Sequence, residues 1–302
     1  CKVEFPLKTV LVTGYNGFIG SNLIPELQKK FRLIGISKLK HSDINIKQIK
    51  HDISKNNTIR LPEKISTIIH LAGITGVDFC QSNPKKAFAT NIQGTKQILE
   101  LARKKDSNVI FLSTSHVFGK VKNNTIKEDY EKNPNSVYGI TKLAGEILCK
   151  SYSNSYGLNI GIPRLFSIYG PHAPIHSVSY SIIQQILTKK NIRLGNIKSE
   201  RDFLYVKDAI NAILVIMKKN KKFNDYNIGA GKGYSITEIC DLVKKILKKD
   251  HVSIKTVRTK IRKNDFSSII SNSSKIKKLG WEPKISIKKG LRFTIDWHKH
   301  KI

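Results

Sequence analysis

Tyr138 and Lys142 stand four residues apart in Tyr138-Gly139-Ile140-Thr141-Lys142, which on a helix puts both side chains on one face. A free phenol near pKa 10 is a poor acid or base at neutral pH, but a neighbouring ammonium favours the phenolate and brings it toward useful proton transfer. Such a pair also decorates ordinary helix surfaces. What points to chemistry is Ser113-Thr114-Ser115, upstream at the end of an expected strand, where a hydroxyl can bind the reacting oxygen. A second constellation lies near the start of the chain, where Gly14, Gly17 and Gly20 fall at G-x-x-G-x-x-G spacing in Thr13-Gly14-Tyr15-Asn16-Gly17-Phe18-Ile19-Gly20. Between a strand and a helix, such glycines form a tight turn whose bare backbone lets a pyrophosphate reach the amides of the helix N-terminus. An ordinary glycine-rich turn is the bland alternative.

Those residues need elements to hold them. Short apolar runs at 9–13, 32–37, 66–71, 108–113 and 159–165 read as strands. Segments 17–31, 84–105 and 138–152 have helical period, with Ile19, Leu23 and Leu27 on one face of the first and Phe88, Ile92 and Leu99 on one face of the second. This alternation predicts βαβ units and a parallel sheet. Beyond about Pro163 it weakens into loops around Pro171 and Pro174, a helix over 178–190, and a late segment rich in turns and charges. The prediction is an α/β fold in two parts. A dinucleotide-binding domain spans 1–163, joined by part of 201–230, and a smaller mixed α/β lobe spans mainly 164–302. No repeat or low-complexity linker separates them, so the lobe should pack directly on the first domain.

Composition narrows the class. The 302 residues are 39% apolar, enough for a sizeable core, and no apolar run approaches the roughly 20 residues needed to cross a bilayer. No signal-peptide pattern opens the sequence, and a cytoplasmic location is expected. The four cysteines, Cys1, Cys80, Cys149 and Cys240, are too scattered for a zinc or redox motif. Free thiols and no metal are expected. The formal charge of +32 raises the question of a nucleic-acid partner, but Lys doublets are spread along the chain and no helix-turn-helix, zinc-finger or aromatic RNA-binding signature appears. Solvated helix faces account for the charge, and no nucleic-acid partner is expected.

More motifs follow in order: His51-Asp52-Ile53, His70-Leu71-Ala72-Gly73, Asn91 in Thr90-Asn91-Ile92-Gln93-Gly94-Thr95, and Pro163-Arg164-Leu165-Phe166-Ser167-Ile168-Tyr169-Gly170-Pro171. Arg201-Asp202-Phe203-Leu204-Tyr205-Val206-Lys207-Asp208, Tyr226-Asn227-Ile228-Gly229 and Leu279-Gly280-Trp281-Glu282-Pro283 complete them. With the glycine turn and the Thr114, Tyr138, Lys142 set, almost the whole chain resembles the extended short-chain dehydrogenase/reductases, which include nucleotide-sugar epimerases, 4,6-dehydratases and 4-ketosugar reductases. The resemblance implies a doubly wound Rossmann sheet, NAD or NADP, a nucleoside-diphosphate sugar as substrate and a helix-bundle homodimer. It implies cofactor contacts at Gly14, Asn16, Gly17, Phe18, Ile19, Gly20, Ser37, Lys38, Asp52, Ile53, Leu71, Ala72, Gly73, Asn91, Tyr138 and Lys142. Thr114, Tyr138 and Lys142 would be catalytic, and Thr114, Ser115, His116, Ser167, Arg201 and Arg262 would meet the substrate. For Arg201 a salt bridge to Asp208 or Asp202 is the structural alternative, and for Arg262 a solvated surface. Trp281 is expected to pack between the lobes.

Departures from the pattern carry information. The second strand ends Gly35-Ile36-Ser37-Lys38, without the carboxylate that many members use for the ribose 2′-hydroxyl; Ser37 and Lys38 would accept a 2′-phosphate, which tilts the expectation to NADP. His116 stands where 4,6-dehydratases carry a glutamate, which disfavours dehydration, and Ser167 replaces a common asparagine. Val77-Asp78-Phe79-Cys80-Gln81-Ser82-Asn83-Pro84 and Phe111-Leu112-Ser113-Thr114-Ser115-His116-Val117-Phe118 look more like the 4-ketosugar reductases than the galactose epimerases. The expected reaction is therefore hydride transfer at C4, tilted to reduction. Epimerisation is the alternative, and a non-catalytic or nucleic-acid-binding relative is the remote one.

Overall fold

The computed structural model describes residues 7–41, 44–55, 57–121, 125–261 and 268–300. The first half runs β1 (Thr9–Thr13), α1 (Phe18–Gln28), β2 (Arg32–Ser37), β3 (Lys47–Lys50), β4 (Thr67–His70), α2 (Val77–Ser82), α3 (Pro84–Phe88), α4 (Gly94–Lys105), β5 (Asn108–Phe111), β6 (Ser113–Thr114), β7 (Thr125–Ile126) and α5 (Val137–Tyr156). The second runs β8 (Ile160–Leu165), β9 (Ser167–Tyr169), α6 (Val178–Thr188), β10 (Asn191–Leu194), β11 (Glu200–Tyr205), α7 (Val206–Lys219), β12 (Phe223–Ile228), β13 (Gly233–Ser235), α8 (Ile236–Leu247), β14 (Ser253–Thr256), β15 (Ser268–Ser271), α9 (Ser274–Lys277) and α10 (Ile287–Lys299).

The fully buried apolar runs of β1, β4 and β8 fit a sheet covered on both faces. They form the middle of a parallel sheet in the order β12-β8-β5-β4-β1-β2-β3, with β6 also on β8. From β1 the chain winds outward to β3 and then returns to β4 on the other side. That reversal opens a crevice at the strand ends between β1 and β4, where doubly wound folds bind ligands. The smaller lobe has a sheet in the order β13-β11-β15-β7, with β9 on β11, and a separate β10-β14 pair. The parts exchange strands: β7 lies early in the chain but pairs with β15, and β12 follows the lobe's β11 but pairs with β8. Trp281 is buried, and its indole N–H donates to the Asp208 carbonyl on α7 at 2.9 Å.

Two expectations change. Segment 84–105 is not one regular helix, because a π-helical turn, Ala89–Gln93, separates α3 from α4. Within that turn the buried Asn91 side chain is held by Ile74 and Thr141. The late segment read as turns and charge contains three well-formed helices, α7, α8 and α10. In α8, Ser235 and Glu238 make a capping box above buried Ile236, Ile239, Cys240 and Val243; in α10, Ser286 caps a stripe with Leu291 and Ile295. Lysines on the outer faces hide these stripes in the sequence.

Candidate active site

The glycine turn is built by close backbone packing. Gly14 has φ +66°, its N–H donates to the Ile36 carbonyl at 2.9 Å, and a Cβ there would lie 2.8 Å from the Ala72 backbone. At Gly20 a Cβ would overlap the Gly14 and Tyr15 carbonyl oxygens, so glycine is required for α1 to leave the turn so tightly. Gly17 differs: it is exposed, and a Cβ there would meet only the Gly14 oxygen. No side chain caps α1 at Gly17, so the amides of the first turn, from Phe18 and Ile19 onward, suit an anion. A dinucleotide pyrophosphate fits this cradle.

Around the crevice the other expected cofactor residues fall into two groups. Ser37 Oγ donates to Asn16 Oδ1 at 3.1 Å, and Lys38 Nζ lies 3.3 Å from Asp52. Burial pushes the Asp52 carboxyl up, but hydrogen bonds from Ser54 and the Lys38 charge outweigh it and hold the group below its ordinary value. These four residues sit together at the end of β2. Leu71, Ala72 and Gly73 follow β4, with the Ala72 N–H on Thr13 Oγ1 at 3.1 Å. Asn91 secures the next residue of that loop, accepting from the Ile74 N–H at 2.8 Å and donating to its carbonyl at 3.0 Å. Ile53 is buried against Gly94, in the core beside α4.

The reacting set stands where β6 meets α5. Ser136 caps α5, placing Tyr138 in its first turn, and Gly139 lets the helix approach the His116 carbonyl, which a Cβ would strike at 2.5 Å. Gly145 makes room for the Phe111 ring, and the Lys142 ammonium rests over that ring, 4.1 Å from its centroid. Burial pushes the Tyr138 phenol up to about 12 while its hydrogen bond with Thr114 acts the other way. The same burial draws Lys142 down to about 8, opposed by the neighbouring Cys149 and Glu146 side chains. Burial therefore governs the phenol in the free site, and the expected easing by Lys142 is not seen there.

Thr114, Ser115, His116 and Tyr138 line one end of a cavity of about 730 Å³, which runs past Ser167 to Arg201 between the sheet and the lobe. The His116 ring stands edge-on to Tyr138, with centroids 5.6 Å apart. Arg201 Nη1 donates to the Glu200 carbonyl at 2.7 Å. Neither carboxylate expected to compete for Arg201 is turned to it. Asp202 accepts from the N–H groups of Ala230, Gly231 and Ser271, and Asp208 from those of Lys284 and Ile285. Arg262 lies outside the described residues.

Sequence reasoning missed several residues here. Asp78, from the 77–84 segment singled out above but given no role there, also lines the cavity with His176, Arg193 and Lys260, which no motif spacing marks. Behind the site, Thr13 Oγ1 and His70 Nδ1 are 2.7 Å apart and His70 Nε2 faces Thr95 Oγ1 at 3.2 Å. Burial draws His70 down to about 3 and Lys142 adds to that effect, so His70 is neutral. Its place in the His70-Leu71-Ala72-Gly73 motif was a signal without a role.

Comparison with known proteins agrees with this geometry. Residues 10–229 match the model of the NAD dependent epimerase/dehydratase family. A Bacillus subtilis protein named as an uncharacterized UDP-glucose epimerase is 32% identical, covering 95% of this chain and 97% of its own. A UDP-glucuronate 4-epimerase of Thermodesulfobacterium geofontis is 30% identical over 97% of this chain and 96% of its own. Among solved structures, the UDP-glucuronic acid 4-epimerase of Bacillus cereus, in complex with UDP-glucuronic acid and NAD, superposes with a TM-score of 0.90 at 29% identity, covering 97% of this chain and all of that one. With the glycine cradle, the crevice and the Thr114, Tyr138, Lys142 set in place, the chain belongs to the NAD dependent epimerase/dehydratase family.

Proposed function

We propose that the protein moves a hydride to and from C4 of a nucleoside-diphosphate sugar, with 4-epimerisation as the net reaction. The observation that carries this reading is one cavity joining Thr114 and Tyr138 at one end to Arg201 at the other. When bound, the dinucleotide supplies the hydride acceptor and donor. Tyr138 takes the proton of the C4 hydroxyl and returns it, and Thr114 hydrogen-bonds the same oxygen. The Lys142 ammonium favours the phenolate and holds the nicotinamide ribose. Arg201 grips the diphosphate, a task suited to a guanidinium, which stays charged and offers several donors. Burial of Thr114 and Lys142 keeps water from the reacting atoms.

The tilt to reduction rested on two short segments, whereas the similar proteins above are named as epimerases; this favours the epimerase outcome. A ketone that turns over in the pocket and is reduced on its other face needs no residue beyond those that a reductase uses. For the dinucleotide, Ser37 and Lys38 support NADP because β2 itself ends without a carboxylate, although the Asp52 carboxylate stands 3.3 Å from Lys38. The similar solved structure holds NAD. The exposed Ile140 and Ile147, seven residues apart on α5, support a homodimer, which light scattering would measure.

Incubating the pure protein with a panel of UDP- and dTDP-sugars and 4-keto sugars, with NAD(H) or NADP(H), tests the reading. The expected result is a C4 epimer formed without net consumption of dinucleotide. Stoichiometric oxidation of NADPH by a 4-keto sugar would establish the reductase instead. No turnover of any sugar would overturn both.

A further inference from the structure

One group of buried charges remains unused by that mechanism. Glu146 is buried one helical turn beyond Lys142, on the same face of α5. Ser113 Oγ donates to Glu146 Oε1 at 2.5 Å. Arg164 grips the same carboxylate in a fork, Nε to Oε1 at 2.9 Å and Nη2 to Oε2 at 2.7 Å. Its Nη2 also reaches Asp225 on β12 at 2.5 Å, and Lys275 on α9 bonds the other Asp225 oxygen at 3.1 Å. A purely structural tie between β8 and β12 would be complete with Arg164 and Asp225 alone. It would not require a second carboxylate on the catalytic helix, nor a bond from that carboxylate to the residue just before Thr114.

We propose that Glu146 is a positioning residue for the reaction: clamped by Arg164, its carboxylate supports the Lys142 ammonium and, through Ser113, fixes the strand end that carries Thr114. The proposal rests on the reaction assigned above, but its first consequence is electrostatic and independent of the substrate. The groups that act on Lys142 are Cys149 and Glu146 on its own helix, the Phe111 ring from β5, and His70 from β4, with Tyr138 one turn before it on α5. His70 is neutral, and burial pushes the Cys149 thiol above its ordinary range. Glu146 is therefore the carboxylate among them, and together with Cys149 it opposes the burial that draws the Lys142 proton away. Arg164 fixes that carboxylate in a fork of two hydrogen bonds, at the cost of sharing its charge.

The test uses Glu146→Gln, which keeps the size of the side chain and an acceptor for Ser113, while Arg164 retains Asp225. In the full chain labelled with ¹⁵N-lysine, the Lys142 Nζ signal is assigned by its loss in Lys142→Met and followed against pH. The expected result is a midpoint about one pH unit lower than in the parent, with the alkaline limb of turnover moving by the same amount. An unchanged midpoint in folded Glu146→Gln would overturn the electrostatic role. Ser113→Ala leaves every charge in place; turnover should fall several-fold with dinucleotide affinity unchanged, and unaltered turnover would overturn the positioning of Thr114 even if Glu146→Gln failed to fold. If the parent turns over no nucleotide sugar, the assigned reaction falls, while the Lys142 titration still decides the coupling.

Discussion

The motifs of the first half and those of the second do different work. In the first, Thr114 and Tyr138 line the cavity and Gly17 is exposed, while their buried neighbours, such as His70 and Asn91, hold the crevice with neutral hydrogen bonds. In the second, the acidic members of equally recognisable motifs are turned inward. Asp202 is fully buried and receives three backbone N–H groups and the Ser271 hydroxyl, the last at 2.6 Å. A Cβ at Gly229 would overlap the Asp202 and Ser271 side chains, so the Tyr226-Asn227-Ile228-Gly229 motif is part of this clamp. Asp208 ties the segment after Trp281 to α7 in the same way. Motifs of equal clarity in sequence therefore divide into those that face the crevice and cavity and those that clamp buried segments together.

The sharpest way to break this comparison is to exchange the symptoms. Tyr138→Phe should lower turnover about 100-fold or more, the scale of a lost general acid/base, and leave the melting temperature almost unmoved. Asp202→Ala should do the reverse. It strands three N–H groups and a hydroxyl, and unfolding measured in urea should show a loss of about 3 kcal/mol or more, with turnover per folded molecule retained. A stable Asp202→Ala protein without activity would move Asp202 into the site.

The neutral hydrogen bonds of the first half give a pH signature. The folded value of His70 lies near 3 against 6.5 when free, so the unfolded chain binds the extra proton between those values. Stability is then fully present above pH 6.5 and lost as pH falls through that window, about 2–3 kcal/mol of it by pH 4.5. Melting temperatures between pH 7 and 4.5 should decline less steeply in His70→Gln than in the parent. Parallel declines would mean that His70 is charged in the folded protein.

A smaller effect is expected where the second half does face the cavity. Arg201→Met should weaken binding of a nucleoside diphosphate about tenfold, the lower end for a charge-assisted hydrogen bond on a partly exposed residue. Dinucleotide affinity should stay the same in calorimetric titration. Equal affinities for the diphosphate in variant and parent would place Arg201 with the clamps, next to Asp202.

Local sequence determined the elements and the spacing within each. β1 and β2 fall on 9–13 and 32–37 as expected because buried parallel strands are continuous apolar runs bounded by turns, and Tyr138 shares a helix face with Lys142 because four residues make about one turn. Gly14 and Gly20 were legible because only glycine permits that backbone. Tertiary structure alone decided which motif residues meet. Nothing in the chain between Glu146 and Arg164 or Asp225 signals that these charges share one buried cluster, nor that Asp202 turns from Arg201 to the amides of Ala230 and Gly231. The physical reason is range: propensity and periodicity act over a few residues, whereas a buried charge is stable only where distant segments converge to pair with it.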